Sequence, residues 1–212
     1  MSWKSQLKEK VKKYLRGYSA CHDYFHHKRT LGYALEIAKK VKCDENVVYA
    51  GALLHDIGYK DNERDDKRHH IYGMEIAQKW LKEVGFPNEK IQPTLEVIRL
   101  HDNCTWGHDY ESTDHIETKI IQDADRIDAL GAVGIARLAY YYGEKGYPIY
   151  NPAKVKETKE VWFNHSLVDQ IARDPIKKYN YLNFPISKKT AKERNKFLKQ
   201  FYKHLKDELQ TK

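Results

Sequence analysis

Two neighbouring residues, His55 and Asp56 in the segment LLHDIG, carry the strongest chemical signal in this chain. Adjacent positions on a helix point about 100° apart, so their side chains rarely meet. An imidazole and a carboxylate side by side make joint sense when both turn toward one object, such as a cation lodged between helices. His26 lies upstream, and an acidic cluster of Asp123, Asp125 and Asp128 lies downstream. Histidine, then histidine-aspartate, then aspartate gives a mixed nitrogen and oxygen donor set that suits a divalent metal. A purely structural alternative stands beside this one. His55 would cap a helix end, Asp56 the next turn, and the later aspartates would pair with Arg99, Arg126 or Arg137. Ile121, Ala124, Ile127 and Leu130 flank that acidic cluster, and a carboxylate among such neighbours needs a partner because an unpaired buried charge is costly.

The elements that would have to position these groups all read as helices. Leu7, Val11 and Leu15 recur at helical spacing among lysines, and Leu31, Leu35 and Ala38 do the same. Val47, Val48, Gly51, Ala52, Leu53 and Leu54 make an almost wholly apolar, central helix, with Asp44 as its N-cap and Gly58 as its stop. Ile71, Met74, Ile76, Ala77, Trp80 and Leu81 mark the next, ended by Gly85, Phe86 and Pro87. Further segments run over about 89–101 and 116–130. After Gly131 the pattern weakens, and YYYGEKGYPIYNP (140–152) reads as a long ordered loop. Phe197, Leu198, Phe201, Tyr202, Leu205 and Leu209 form the stripe of a last helix. Neither strand-like alternation nor an internal repeat is present, so the expectation is one all-α domain over 1–212. Its motif-bearing core would span about 18–152, with a helical extension over 153–212.

Length and composition agree. A 212-residue chain with 41% hydrophobic and 32% charged residues can bury a real core and is not compositionally disordered. Nothing approaches the roughly 18 uninterrupted apolar residues of a membrane helix, and the N-terminal segment lacks a secretory h-region, so a cytoplasmic protein with no membrane partner is expected. The cysteines Cys21, Cys43 and Cys104 are odd in number and far apart, which argues against a disulfide framework or a CxxC metal site. A net charge of +8 favours a polyanionic partner, from a nucleotide to RNA. The lysines cluster at Lys4–Lys13 and Lys188–Lys206, a pattern that solvated helix faces also produce.

Three motifs in order resemble the HD-domain superfamily of metal-dependent phosphohydrolases, over roughly Tyr18 to Pro152. HDYFHHKR is similar to that family's D-x-x-H-x-x-R motif and selects His26 over His22 and His27. LLHDIG resembles the central motif and gives His55 and Asp56, and DADRIDA resembles the last and gives Asp125. The resemblance implies an all-helical HD-domain fold around a divalent cation (Mn, Mg, Co, Ni or Zn) held by His26, His55, Asp56 and Asp125. It also implies hydrolysis of a phosphate ester or anhydride, commonly in a nucleotide, by attack of a metal-activated water on phosphorus, with Asp56 among the catalytic residues.

Further candidates follow from the same resemblance. HHIYGMEIA is similar to an H-x-x-x-G-x-E-I-A segment of larger members and points to His69, with His70 beside it, while IRLHDN offers His101. In dinuclear members the equivalents of His69 and His101 bind a second cation. The preferred expectation here is one cation, with His69, His70 and His101 contacting the substrate phosphate and His101 also serving catalysis. The alternative for His70 and His101 is a structural place at helix ends. Where some members carry a glutamate after the HD pair, HDIGYKD offers Lys60 for a phosphate oxygen and Asp61 to orient water. Arg29, Arg126 and Lys145 are further phosphate-binding candidates. Tyrosines 140, 141, 142, 147 and 150 could stack on a base or simply pack the loop.

The leading expectation is thus a hydrolase of small phosphorylated substrates, most naturally nucleotides, as a triphosphate pyrophosphohydrolase, nucleotidase or phosphodiesterase. Two alternatives come from other classes. One is a nucleotide- or nucleic-acid-binding regulatory module with a non-catalytic site, suggested by the lysine-rich ends. The other is a di-iron oxygenase on the same scaffold, which would need both His69 and His101 as ligands.

Overall fold

The computed structural model describes residues 1–60, 68–102, 113–151, 166–171 and 181–209, and among these every regular element is a helix. The chain divides into two compact units, Met1–Ile127 and Asp128–Lys212. In the first, α1 (Trp3–Tyr14) buries Leu7 and Val11, and the edge of Trp3 meets Tyr49 and Phe86. α2 (Tyr24–Ala38) is capped by Asp23, whose carboxylate accepts from the His26 amide at 2.8 Å. It buries His26, His27, Thr30, Leu31, Ala34, Ile37 and Ala38 against α3.

α3 (Glu45–Leu54) is the central helix that its composition predicts, buried from Val47 to Leu54 except at Tyr49. Asp44 caps it as expected, accepting from the amides of Asn46 (2.9 Å) and Val47 (3.3 Å). Glu117 accepts from the Asp44 amide at 2.7 Å, tying the start of α3 to the start of α6 (Ile116–Asp128). Gly58 has a different role from the predicted helix stop. α3 ends at Leu54, and Gly58 lies in a 3₁₀ turn, Ile57–Tyr59, packed on α4 (His69–Glu83). A Cβ at Gly58 would stand 1.9 Å from the His69 carbonyl oxygen and 2.5 Å from the Gly73 amide nitrogen. Close backbone approach requires the glycine.

α4 buries His69, Gly73, Ala77 and Leu81, one residue every four, so His69 belongs to the core-facing stripe. α5 (Ile91–Leu100) packs on α3 and α4, and the Gln122 amide donates to the Leu100 carbonyl at 2.9 Å to hold α6 beside its end.

In the second unit α7 (Gly131–Glu144) packs on α8 (Pro185–Leu209). The loop expected over 140–152 is corrected in part: Tyr140, Tyr141 and Tyr142 are helical, and irregular chain begins after Glu144. Tyr142 and Ile135, two turns apart on α7, are buried with Leu130, Leu167, Ile171, Leu182, Ala191 and Leu198. No helix among the described residues is long and apolar enough to cross a membrane.

Candidate metal centre

Three elements of the first unit deliver four polar side chains to one place. The first turn of α2 brings His26, the end of α3 brings His55 and Asp56, and α6 brings Asp125. One donor atom from each lies within 4.8 Å of all the others. His26 Nε2 stands 3.1 Å from His55 Nε2 and 3.3 Å from Asp56 Oδ2, and His55 Nε2 is also 3.3 Å from that oxygen. Asp125 Oδ1 is 3.5 Å from His26 Nε2 and 4.0 Å from His55 Nε2. Both histidines and Asp56 are buried.

The donor chemistry fits a cation. His55 Nδ1 lies 3.0 Å from the Ala52 carbonyl oxygen and must donate to it, so in the neutral ring Nε2 presents a lone pair. That lone pair faces His26 Nε2 and two carboxylates, a convergence of electron-rich atoms that a positive ion resolves. Donors sharing one ion at about 2.1 Å are separated by about 3.0–3.4 Å along the edges of a regular polyhedron, which the three shortest separations match.

A second group shares Asp56. His101 Nε2 lies 2.9 Å and His69 Nε2 3.9 Å from Asp56 Oδ1, and one donor atom from each of these three residues lies within 4.8 Å of the others. His101 Nδ1 donates to the Ile98 carbonyl at 2.7 Å, which orients the ring. Asp56 therefore turns Oδ2 to His26 and His55, and Oδ1 to His69 and His101.

Charge follows geometry. Burial pushes the Asp56 carboxyl upward, but the imidazoles around it, His55 first and then His101 and His26, hold it well below the usual carboxylate range. Burial pushes the His101 imidazole down, and the hydrogen bond and charge of Asp56 outweigh it, raising the value to about 9. His27, on the same turn as His26, donates from Nδ1 to the Leu53 carbonyl at 2.9 Å, and burial followed by the charges of His55 and His26 keeps it well below the ordinary range. It is an inward structural histidine that ties α2 to the end of α3, its ring 4.9 Å from that of His55.

The remaining sequence candidates fall in several places. Arg29 is half-buried one turn after His26 on α2. His70 is half-buried, and burial, then His69, His101 and Arg99, lowers its pKa. Lys60 is turned to α1: its ammonium donates to the Tyr14 carbonyl and lies 4.9 Å from the centre of the Tyr14 ring. Arg126 is 1% exposed, with Nη1 3.8 Å from Asp123, so it lies in the interior beside the ion-pair partner that the structural alternative named. Asp128 pairs with Arg137 at 3.0 Å in the second unit. Lys145 is also in that unit, exposed, with its ammonium 5.6 Å from the centre of the Tyr141 ring. Asp61 and Cys104 lie outside the described residues.

One group at the centre escapes sequence reasoning. His22 Nε2 stands 3.9 Å from Asp56 Oδ2, and its ring stacks on Tyr59 at 4.2 Å. Its signal is a second His-Asp dipeptide, His22-Asp23, which the D-x-x-H-x-x-R resemblance sets aside in favour of His26.

Residues 24–130 match the HD domain family. YpgQ, a protein of Bacillus subtilis (strain 168), is 28% identical over 206 residues, which cover 96% of this chain and 92% of that protein. The crystal structure of YpgQ in complex with ADP has a TM-score of 0.74 at 25% identity, with 98% of each chain covered. An HD-superfamily hydrolase from Bacillus thuringiensis has a TM-score of 0.70 at 26% identity, covering 99% of this chain and 97% of that one. A Lactobacillus plantarum protein reaches 0.81 at 22% identity over 98% of this chain and 96% of its own, a likeness of fold.

Proposed function

The chain belongs to the HD-domain family, and on that premise we propose that it is a metal-dependent phosphohydrolase of small phosphorylated substrates, nucleotides foremost. The observation that carries this reading is the convergence of His26, His55, Asp56 and Asp125, with all four donor atoms within 4.8 Å of one another. The ADP bound to YpgQ supports a nucleotide as the substrate class.

In this reading those four residues hold the divalent cation, which takes imidazoles as neutral ligands and carboxylates as ionised ones. A divalent cation there supplies Lewis acidity, making water a better nucleophile near neutral pH and offsetting charge on the phosphoryl oxygens. Asp56 keeps His101 charged by its hydrogen bond, so His101 can contact an anionic oxygen, with His69 beside it. Arg29, one turn from His26 on α2, is the guanidinium to which this reading gives a further phosphate contact. Lys60 and Arg126 are left out of the reading, because one is engaged by α1 and the other is buried.

Phosphate and pyrophosphate release from a nucleotide panel, with Mn or Co added, tests the proposal. Wild-type protein is expected to hydrolyse at least one substrate only with metal, and Asp56→Ala to fall to background. Equal hydrolysis by Asp56→Ala would remove the site assignment.

The triad of Asp56, His69 and His101 supports a second reading, in which a second ion sits against Asp56 Oδ1. Metal stoichiometry separates the two: one ion per chain supports histidines that contact phosphate, and two support a dinuclear centre. Two irons with a visible absorption band would instead favour an oxygenase.

A further inference from the structure

The histidines of the centre differ in their access to solvent. His26, His55, His69 and His101 are fully or almost fully buried, and Asp56 is nearly so. Among the described groups around Asp56, only the side chains of His22 and Asp125 are appreciably exposed, at 23% and 20%. Among the described residues these two mark the solvent-facing side of the donor cluster. Of the pair, His22 is the one that can offer an anion a hydrogen-bond donor.

His22 is also held in a defined plane. Its ring lies on one face of Tyr59 (4.2 Å between centroids, 17° between planes), and His69 lies on the other face (4.0 Å, 7°). The outer two rings of this sandwich reach opposite oxygens of one carboxylate: His22 Nε2 is 3.9 Å from Asp56 Oδ2, and His69 Nε2 is 3.9 Å from Oδ1. The stack sets the plane of the ring, and stacking uses the faces of an aromatic ring while its edge carries the donor.

We propose that His22 is the solvent-side phosphate contact of this centre, donating from Nε2–H to an oxygen of the incoming phosphoryl group, with Tyr59 as the positioning residue that spaces it from His69. The inference rests on the phosphohydrolase reading and adds to it the side of approach and the first group met. It separates His22, which touches substrate, from His26 four residues later, which belongs with the metal donors.

The test uses the full chain loaded with Mn and inorganic pyrophosphate as the probe, measured by calorimetry, with Mn content and melting temperature recorded for every variant. His22→Ala is expected to weaken pyrophosphate binding by about tenfold to a hundredfold, the worth of a hydrogen bond to a charged group, with Mn content unchanged. His22→Gln, which restores an N–H donor, is expected to recover part of the loss. Tyr59→Ala, which removes the stack, should weaken binding as well. In turnover the same His22→Ala loss should fall mainly on KM. Pyrophosphate binding unaltered in His22→Ala overturns the contact and leaves the phosphohydrolase reading standing. Loss of Mn from His22→Ala also overturns it, by making His22 a metal ligand. Wild-type protein that binds Mn but no pyrophosphate overturns both.

Discussion

Asp56 serves two sets of imidazoles with its two oxygens, and this makes its ionisation and that of His101 interdependent. The raised His101 value, about 9 against an ordinary 6.5, means that the folded state binds this proton more tightly than the unfolded state does. The stabilisation is therefore complete below pH about 6.5 and is lost as the pH rises through about 9. Asp56 is displaced the other way, so its contribution is present above the ordinary carboxylate range and is lost as pH falls through its lowered value. In chelator, the melting temperature of wild-type protein should decline between pH 6.5 and 9, and His101→Gln should flatten that decline. A His101→Gln profile parallel to wild type would show that the Asp56–His101 pair does not govern stability in this window.

At the scale of elements, the ends of helices bring the donors together. His55 and Asp56 leave the last turn of α3 and enter the 3₁₀ turn at Ile57–Tyr59, which presses on α4 where Gly58 meets the His69 carbonyl. Any side chain at 58 must push that turn away from His69. Gly58→Ala should therefore destabilise the fold by about 1–3 kcal/mol, as overpacking does, and lower metal content with it. Denaturant melts and metal analysis check this, and a variant as stable and metal-loaded as wild type would contradict the packing account. At the other end of α3, Asp44 caps two amides and pairs with Lys90 at 2.8 Å. Asp44→Ala should cost about 1 kcal/mol, the usual value of such a cap, without changing metal stoichiometry, because the cap is remote in sequence from the donors.

For the molecule as a whole, binding of an ion to the folded state alone stabilises it by mass action. At a hundred times the dissociation constant the gain is about 2.7 kcal/mol, which for a chain of this length corresponds to roughly 5–10 °C in melting temperature. Chelation should lower the melting temperature by that order, and Asp56→Ala should melt at one temperature with or without metal. The net charge of +8 addresses the competing nucleic-acid module. A phosphohydrolase of small substrates should bind RNA or DNA only weakly at physiological salt. Tight binding by metal-stripped protein, falling steeply with salt, would favour the module.

The sequence by itself determined the helical class and the chain order of the four residues that converge at the candidate centre. Helical periodicity is a local property, and His55-Asp56 is a covalent pair whose joint direction is set by the turn after α3. Caps such as Asp44 were legible for the same reason, since a cap and the amides that it serves are two or three residues apart. Tertiary structure decided what depends on distant neighbours. Lys60 was a phosphate candidate until Tyr14, 46 residues away, took its ammonium. Arg126 sits next to Asp125 in sequence, but on a helix that spacing sends it to the interior beside Asp123. Tyr140, Tyr141 and Tyr142, expected to open a loop, are helical, and Tyr142 is buried with Leu167, Leu182 and Leu198 from distant parts of the chain. His22 joined the centre through stacking on Tyr59, 37 residues later, a contact between ring faces that no spacing along the chain encodes.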